Sequence, residues 1–165
     1  MQNNISRLFI GLIITVQFLF VIGSVMSYES QLKSAKEIVV KLAPLDPRSL
    51  IQGDYVRLRY EFSQECSRKI NITSLKKFRV VLTPQQNQFV FKELLTMSED
   101  YLLTEGDIIL NGKRGKGNRI IFGIENFFIE EGTGRYIEQR SKYAILKVTK
   151  KGNAFVTNLL EDIPK

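Results

Sequence analysis

Residues 46–60 hold the densest run of side chains capable of chemistry. Asp46-Pro47-Arg48-Ser49-Leu50 is followed by Gly53-Asp54-Tyr55-Val56-Arg57-Leu58-Arg59-Tyr60. Arg48, Arg57 and Arg59 can form a cationic shelf beside Tyr55. Guanidinium forks bind carboxylates and phosphates through paired N–H donors, and the acidic edge of a protein partner fits the same shelf. A structural role competes with that reading. Gly53 permits a tight entry into a strand. Asp46, before Pro47, can accept backbone N–H bonds in an Asx-type turn. Asp54 can accept from Arg48 or a neighbouring turn. Tyr55 and Tyr60 can pack their rings while keeping a polar tip.

Two further runs invite a chemical reading. Glu131-Gly132-Thr133-Gly134-Arg135-Tyr136 is followed by Arg140 and Tyr143. Glu130 and Glu131 lack the spaced acids of a calcium loop, and in a strand they would point to opposite faces. An ion pair with Arg135 or Arg140 is the simpler expectation. Gly112-Lys-Arg-Gly-Lys-Gly117-Asn-Arg119 is glycine-rich and basic. It departs from a phosphate-binding loop because Asn118 and Arg119 stand where Lys and Ser/Thr are required. A solvated hairpin tip is expected, with anionic lipid headgroups as an alternative contact. Aromatic residues are not interleaved with this run, so base stacking and nucleic-acid binding are not expected.

Composition removes much of the remaining chemistry. The chain has no His and one Cys, Cys66. Ser-His-Asp and Cys-His arrangements, His-ligated zinc and imidazole acid–base catalysis are therefore excluded. Four-cysteine zinc sites, iron–sulfur sites and intramolecular disulfides go with them. No carboxylate pair can be assigned as general acid and base from spacing. The expectation is a protein without catalytic activity, cofactor or metal.

These residues must be carried by a scaffold of 165 residues with 24 Lys+Arg and 17 Asp+Glu. Arg7 is the only charge among the first 27 residues. Leu8 to Met26 is free of charge and spans about the hydrocarbon thickness of a bilayer as a helix. Residues 1–27 are expected to form a single-pass signal-anchor and 28–36 a linker, with one extracytoplasmic β-rich domain at 37–165. A cleaved signal peptide is the alternative, ending near Val25-x-Ser27, but its apolar core is usually only about 7–15 residues. Arg7 faces Lys33 and Lys36 across the run, so local charge does not orient it. A long following domain translocates largely regardless of its charge. The expected place is the inner membrane, with the domain in the periplasm or outside the cell.

Strands are read at Glu37 to Leu42, Asp54 to Phe62, Lys77 to Leu82, Gln88 to Leu94, Asp107 to Leu110, Arg119 to Ile124, Asn126 to Glu130, Tyr143 to Val148 and Ala154 to Leu160. Thr83 to Asn87 has hairpin character. Gly112 to Asn118 reads as a turn, Ser98 to Thr104 is ambiguous, and Arg135 to Ser141 can form one short helix. In the second strand, period 2 places Val56, Leu58 and Tyr60 toward the core and Tyr55, Arg57, Arg59 and Glu61 outward. Short strands with turn signals between them predict a mainly antiparallel β sandwich or partly open barrel.

The DPRSL and GDYVRLRY runs, together with EGTGRY and the later Arg140 and Tyr143, resemble the GDYXLXY family of membrane-anchored bacterial proteins. That spelling has one residue between Tyr and Leu, whereas this chain has two, Val56 and Arg57. The resemblance covers most of residues 35–160 and the preceding anchor. It implies an anchored, periplasmic domain and supplies no activity. A fainter similarity in spacing is to signal peptidases, whose nucleophile loop precedes a Gly-Asp strand. Here Pro44 takes the position of the nucleophilic Ser, Ser49 is displaced, and Lys77 has nothing to activate. The expected function is an interaction or assembly module for another membrane protein. Its partner face would comprise Asp46, Arg48, Gly53, Asp54, Tyr55, Arg57, Arg59, Tyr60, Glu131, Gly132, Gly134, Tyr136 and Arg140. The alternatives are a ligand-binding domain, its ligand unknown, and a degenerate peptidase-like domain.

Overall fold

In a computed structural model of the chain, residues 2–44, 55–69, 76–116, 119–130 and 132–163 are described. The chain divides into two compact units, Met1–Ser34 and Ala35–Lys165. The first is one helix, α1 (Gln2–Lys33). Its Phe9–Lys33 portion is long and apolar enough to cross a membrane. The hydroxyls of its apolar stretch are satisfied by the helix itself: Thr15 Oγ1 donates to Gly11 O at 2.9 Å and Ser24 Oγ to Phe20 O at 2.8 Å. Such back-bonding lets a polar side chain sit in an apolar helix without an outside partner. The helix continues through most of the expected linker, because Ser27 to Lys33 contains neither Pro nor Gly to stop it.

The second unit is mainly β. Seven strands form one curled sheet in the order β6-β5-β3-β4-β1-β8-β9, a half-barrel, beside a two-stranded sheet β2-β7. The strands are β1 (Lys36–Lys41), β2 (Tyr55–Arg57), β3 (Lys77–Gln85), β4 (Gln88–Thr96), β5 (Ile108–Arg114), β6 (Ile120–Ile121), β7 (Asn126–Phe128), β8 (Tyr143–Val148) and β9 (Ala154–Leu160). The helices are α2 (Glu61–Lys69) and α3 (Gly134–Arg140). All pairings among these strands are antiparallel except β1 with β4, which run parallel through Val40 and Phe89. The partly open barrel of the two predicted forms is the one found. Its core gathers Ile38 and Val40 of β1, Phe78, Val80 and Leu82 of β3, and Ala144, Leu146 and Val148 of β8. Each set alternates along its strand, as period 2 requires.

Three expectations need correction. The strand placed at Asp54 to Phe62 pairs as β2 only over Tyr55–Arg57. Beyond it the chain changes partner: Leu42 bridges Tyr60, and Ala43 N–H donates to Arg59 O at 2.8 Å. Ser63 and Gln64 N–H groups then donate to Tyr60 O, opening α2, so the domain has two short helices rather than one. Phe62 and Cys66, four apart, are the only buried residues of α2, too sparse an apolar pattern to signal a helix. Lastly, the basic run expected to turn at Gly112 continues as strand through Arg114. Gly112 pairs with Phe78, and a Cβ there would lie 2.6 Å from that ring's Cζ. The glycine makes room for a core phenyl ring rather than a turn.

The segment between β4 and β5 is bolted to the sheet. A β-bulge shifts the register so that Val81 opposes Glu93 and Leu82 opposes Phe91, leaving Lys92 without an opposite residue. Lys92 Nζ reaches Asp107 Oδ2 at 2.7 Å and Thr104 Oγ1 at 3.0 Å. Thr104 N–H donates to the same carboxylate oxygen at 3.3 Å. Arg79 donates to Thr96 O at 3.2 Å and to Glu99 O. The Asp107 side chain is only 1 % exposed. Its burial works to raise its pKa, but the Lys92 and Thr83 hydrogen bonds, the Lys92 charge and the Thr104 amide together hold it below the ordinary 3.8. A depressed carboxyl contributes stability that is present above 3.8 and lost as pH falls through the folded value. Acid titration is therefore expected to release amide protection at Thr104 and Asp107 before the β1–β8 ladder opens. Hydrogen exchange across this pH range checks it, and Asp107→Asn should show the released state already at neutral pH.

Candidate functional site

The described part of the 46–60 run forms a zipper between the two sheets. Tyr55 pairs with Phe128, Val56 with Phe127 and Arg57 with Asn126. Leu58 N–H donates to Glu125 O at 2.7 Å, which extends the pairing by one residue. Val56, Leu58 and Tyr60 are buried, while Tyr55, Arg57 and Arg59 are exposed. The predicted alternation is thus present, although only half of the run is a regular strand.

Tyr60 belongs to the inner set and not to a partner face. Its side chain is 1 % exposed, its ring stacks on Phe62 at 5.3 Å, and its hydroxyl donates to Ile124 O at 2.5 Å. Burial, with the Glu125 charge second, pushes its pKa well above 10.0. The phenol therefore remains a hydrogen-bond donor. Glu125 in turn accepts from the Phe122 and Gly123 N–H groups, the latter at 2.9 Å, and fixes the turn before β7.

The outer set has a different character. Tyr55 meets Phe128 edge to face, with centroids 5.7 Å apart and planes at 74°. Phe128 is 77 % exposed, far from what a core aromatic shows. Helix α3 packs against β2, so residues 134–140 lie beside residues 55–57 although some 75 residues separate them in sequence. On α3 both Tyr136 and Arg140 are exposed, with the Arg140 guanidinium 4.7 Å from the Tyr136 ring centroid. Arg140 pairs with Glu161 at 3.3 Å, not with Glu130. Gly132 adopts φ +84 in the turn before α3, where a side chain would be strained, and Gly134 opens the helix. Asp46, Arg48, Ser49, Gly53, Asp54 and Glu131 lie outside the described residues. Phe128 was not among the residues picked from the sequence. Its run, NFFIE, reads as core throughout, and only its pairing opposite Tyr55 turns it outward.

The two remaining reactive candidates occupy ordinary places. Lys77 is exposed at the start of β3, opposite Lys113. Cys66 is 0 % exposed and burial pushes its thiol to about 12. A thiolate is the reactive form. Cys66 is therefore expected to resist a maleimide or disulfide reagent in the folded protein and to react fully once denaturant unfolds the domain. Fast labelling of the native protein would refute this.

The sequence profile of a family described as GDYXXLXY protein matches residues 17–159. No curated protein and no solved structure matches the chain. The profile's name has two residues between Tyr and Leu, so Gly53-Asp54-Tyr55-Val56-Arg57-Leu58-Arg59-Tyr60 fits it letter for letter. Of its spelled positions that are described, Leu58 and Tyr60 are core and Tyr55 is exposed. Arg57 and Arg59 fall on X.

Proposed function

The chain belongs to the GDYXXLXY family, and we propose that it is a membrane-anchored interaction module with no catalytic step. The helix Phe9–Lys33 holds it in the inner membrane as a single-pass anchor, with the β domain on the periplasmic side. Its partner is another membrane protein. The observation that carries this reading is the exposed aromatic pair Tyr55–Phe128, flanked by Arg57 and Arg59. Tyrosine and arginine are the residues that most often anchor protein interfaces, because they bury large area while keeping polar contacts. Tyr55 and Arg57 stand on the outward side of a two-stranded sheet, an arrangement suited to a flat partner rather than to a small ligand enclosed in a cavity. The buried, unreactive Cys66 and the absence of His argue in the same direction against covalent or imidazole chemistry.

The test is crosslinking of the full-length protein in native membranes, followed by affinity capture. One membrane partner recovered with the wild type and lost on substitution of the exposed pair supports the reading. A turnover measured on the purified protein and abolished by Lys77→Ala would replace it with the hydrolase alternative.

A further inference from the structure

Gln17 lies nine residues from each end of the uncharged run Leu8 to Met26. As a helix, that places it roughly 13 Å from either end, too far for its side chain to reach the membrane surface. Its amide has two donor hydrogens and an acceptor oxygen. Neighbouring polar side chains of α1 bond to carbonyls one turn back: Thr15 to Gly11 O, Ser24 to Phe20 O, and Gln31 Nε2 to Ser27 O at 3.3 Å. Gln17 makes no hydrogen bond to any described residue. Back-bonding could not satisfy it in full in any case. Inside a helix every backbone N–H is already used, so the amide oxygen must find its donor elsewhere. Hydrocarbon holds no water to supply one, and an unmet amide there is costly.

Helical periodicity sorts the rest of α1 around this residue. Ile10, Ile13, Ile14, Phe20, Val21 and Ser24 lie within about 60° of Gln17, at spacings of three, four and seven. The far side carries Leu8, Leu12, Leu19, Ile22 and Met26, with Thr15 as its one back-bonded polar residue. Gln17 and Ser24 are seven apart, the repeat that keeps a contact face aligned between two crossing helices. Gly23, Ser24 and Ser27 leave a shallow groove between Phe20 and Gln31, where a second backbone can come close.

We propose that α1 pairs in parallel with α1 of a second copy through this face, each Gln17 Nε2 donating to the other's Oε1 in the middle of the bilayer. This pairing presupposes the anchor role proposed above. Polar complementarity favours a second copy over a foreign helix. Copies of one single-pass chain insert with the same orientation and depth, so Gln17 meets Gln17 without further adjustment. An amide is its own complement, offering its twin both a donor and an acceptor. A foreign helix would have to carry a polar group at the same depth, where such residues are rare and costly.

Ser24→Cys puts a thiol on this face and Ile22→Cys puts one on the far side. The wild-type chain, whose only Cys is the buried Cys66, gives the background. Each full-length protein is reconstituted sparsely in phosphatidylcholine vesicles, oxidised, and scored for disulfide-linked dimer. Resistance to alkaline extraction is measured on the same vesicles and reports the anchor separately. The expected result is an extraction-resistant protein that crosslinks several-fold more through Ser24→Cys than through Ile22→Cys. Gln17→Leu in the Ser24→Cys background should lower the yield about three- to tenfold. Gln17→Asn, which keeps the amide, should retain most of it. Gln17→Leu makes the run more apolar, so its effect cannot come from a weaker anchor. An anchored protein that crosslinks equally through both sides, or through neither, overturns the pairing and leaves the anchor standing. A Ser24→Cys yield that Gln17→Leu does not change overturns it as well. A protein that is extracted overturns both readings.

Discussion

Tyr60→Ala is expected to destabilise the β domain by about 3–5 kcal/mol, a large share of the roughly 5–15 kcal/mol that holds an ordinary domain folded. The ring is buried between the two sheets and stacked on Phe62, so the space it vacates has little freedom to collapse. Tyr60→Phe separates the hydroxyl from the ring. It keeps the packing and leaves Ile124 O without its donor, at a cost of about 1–3 kcal/mol. The two variants also differ from the wild type in alkali. The Tyr60 pKa lies above its ordinary 10.0 when folded, so its contribution is complete below 10.0 and is lost as pH rises through the folded value. The wild type should therefore lose stability more steeply above pH 10.0 than Tyr60→Phe, which has no proton to lose there. Chemical denaturation at neutral and alkaline pH measures both effects. Equal stability of the three proteins at neutral pH would mean that the motif's last tyrosine is not part of the core.

The same residue marks how far the sequence could be read. Strands that read as short apolar, β-branched-rich runs, such as β1, β3 and β8, lie within a few residues of their expected bounds. The inward set Val56, Leu58 and Tyr60 is legible from strict period 2 with the polar residues between them. What period 2 cannot reveal is which strand lies opposite. The run therefore looked like one long strand, although it leaves β7 for the end of β1 after Arg57. Helix α2 was hidden because burying only Phe62 and Cys66 takes no visible apolar stripe. The bulge that frees Lys92, and the Phe78 ring that requires a glycine at position 112, are long-range facts with no local signature. The candidate site was half legible. Tyr55, Arg57 and Arg59 could be placed outside by pattern, but Phe128 joins them only through pairing across some 70 residues of chain.

That pairing decides which side chains matter most at the partner face. If the arginines dominate, Arg57→Glu/Arg59→Glu should abolish capture of the crosslinked partner while Tyr55→Ala/Phe128→Ala leaves most of it. The geometry favours the reverse. Exposed charges attract at long range and are screened by salt within about 8–10 Å, so they mainly set the association rate. Aromatic anchors that become desolvated set the dissociation rate, and each such residue is commonly worth about 2 kcal/mol or more, roughly thirtyfold. Two of them in edge contact, with Phe128 77 % exposed, form the one place on this sheet where association would bury large apolar area. The spelled letters of the family pattern agree, since Tyr55 is spelled and both arginines are X. Tyr55→Ala/Phe128→Ala is therefore expected to reduce partner recovery at least about tenfold at physiological salt. Arg57→Glu/Arg59→Glu should cost less there and more at low salt. Because both pairs are exposed, neither variant should change the unfolding midpoint by much, which separates loss of binding from loss of fold. Undiminished recovery from both variants would clear this face and leave the α1 helix as the surface that holds the partner.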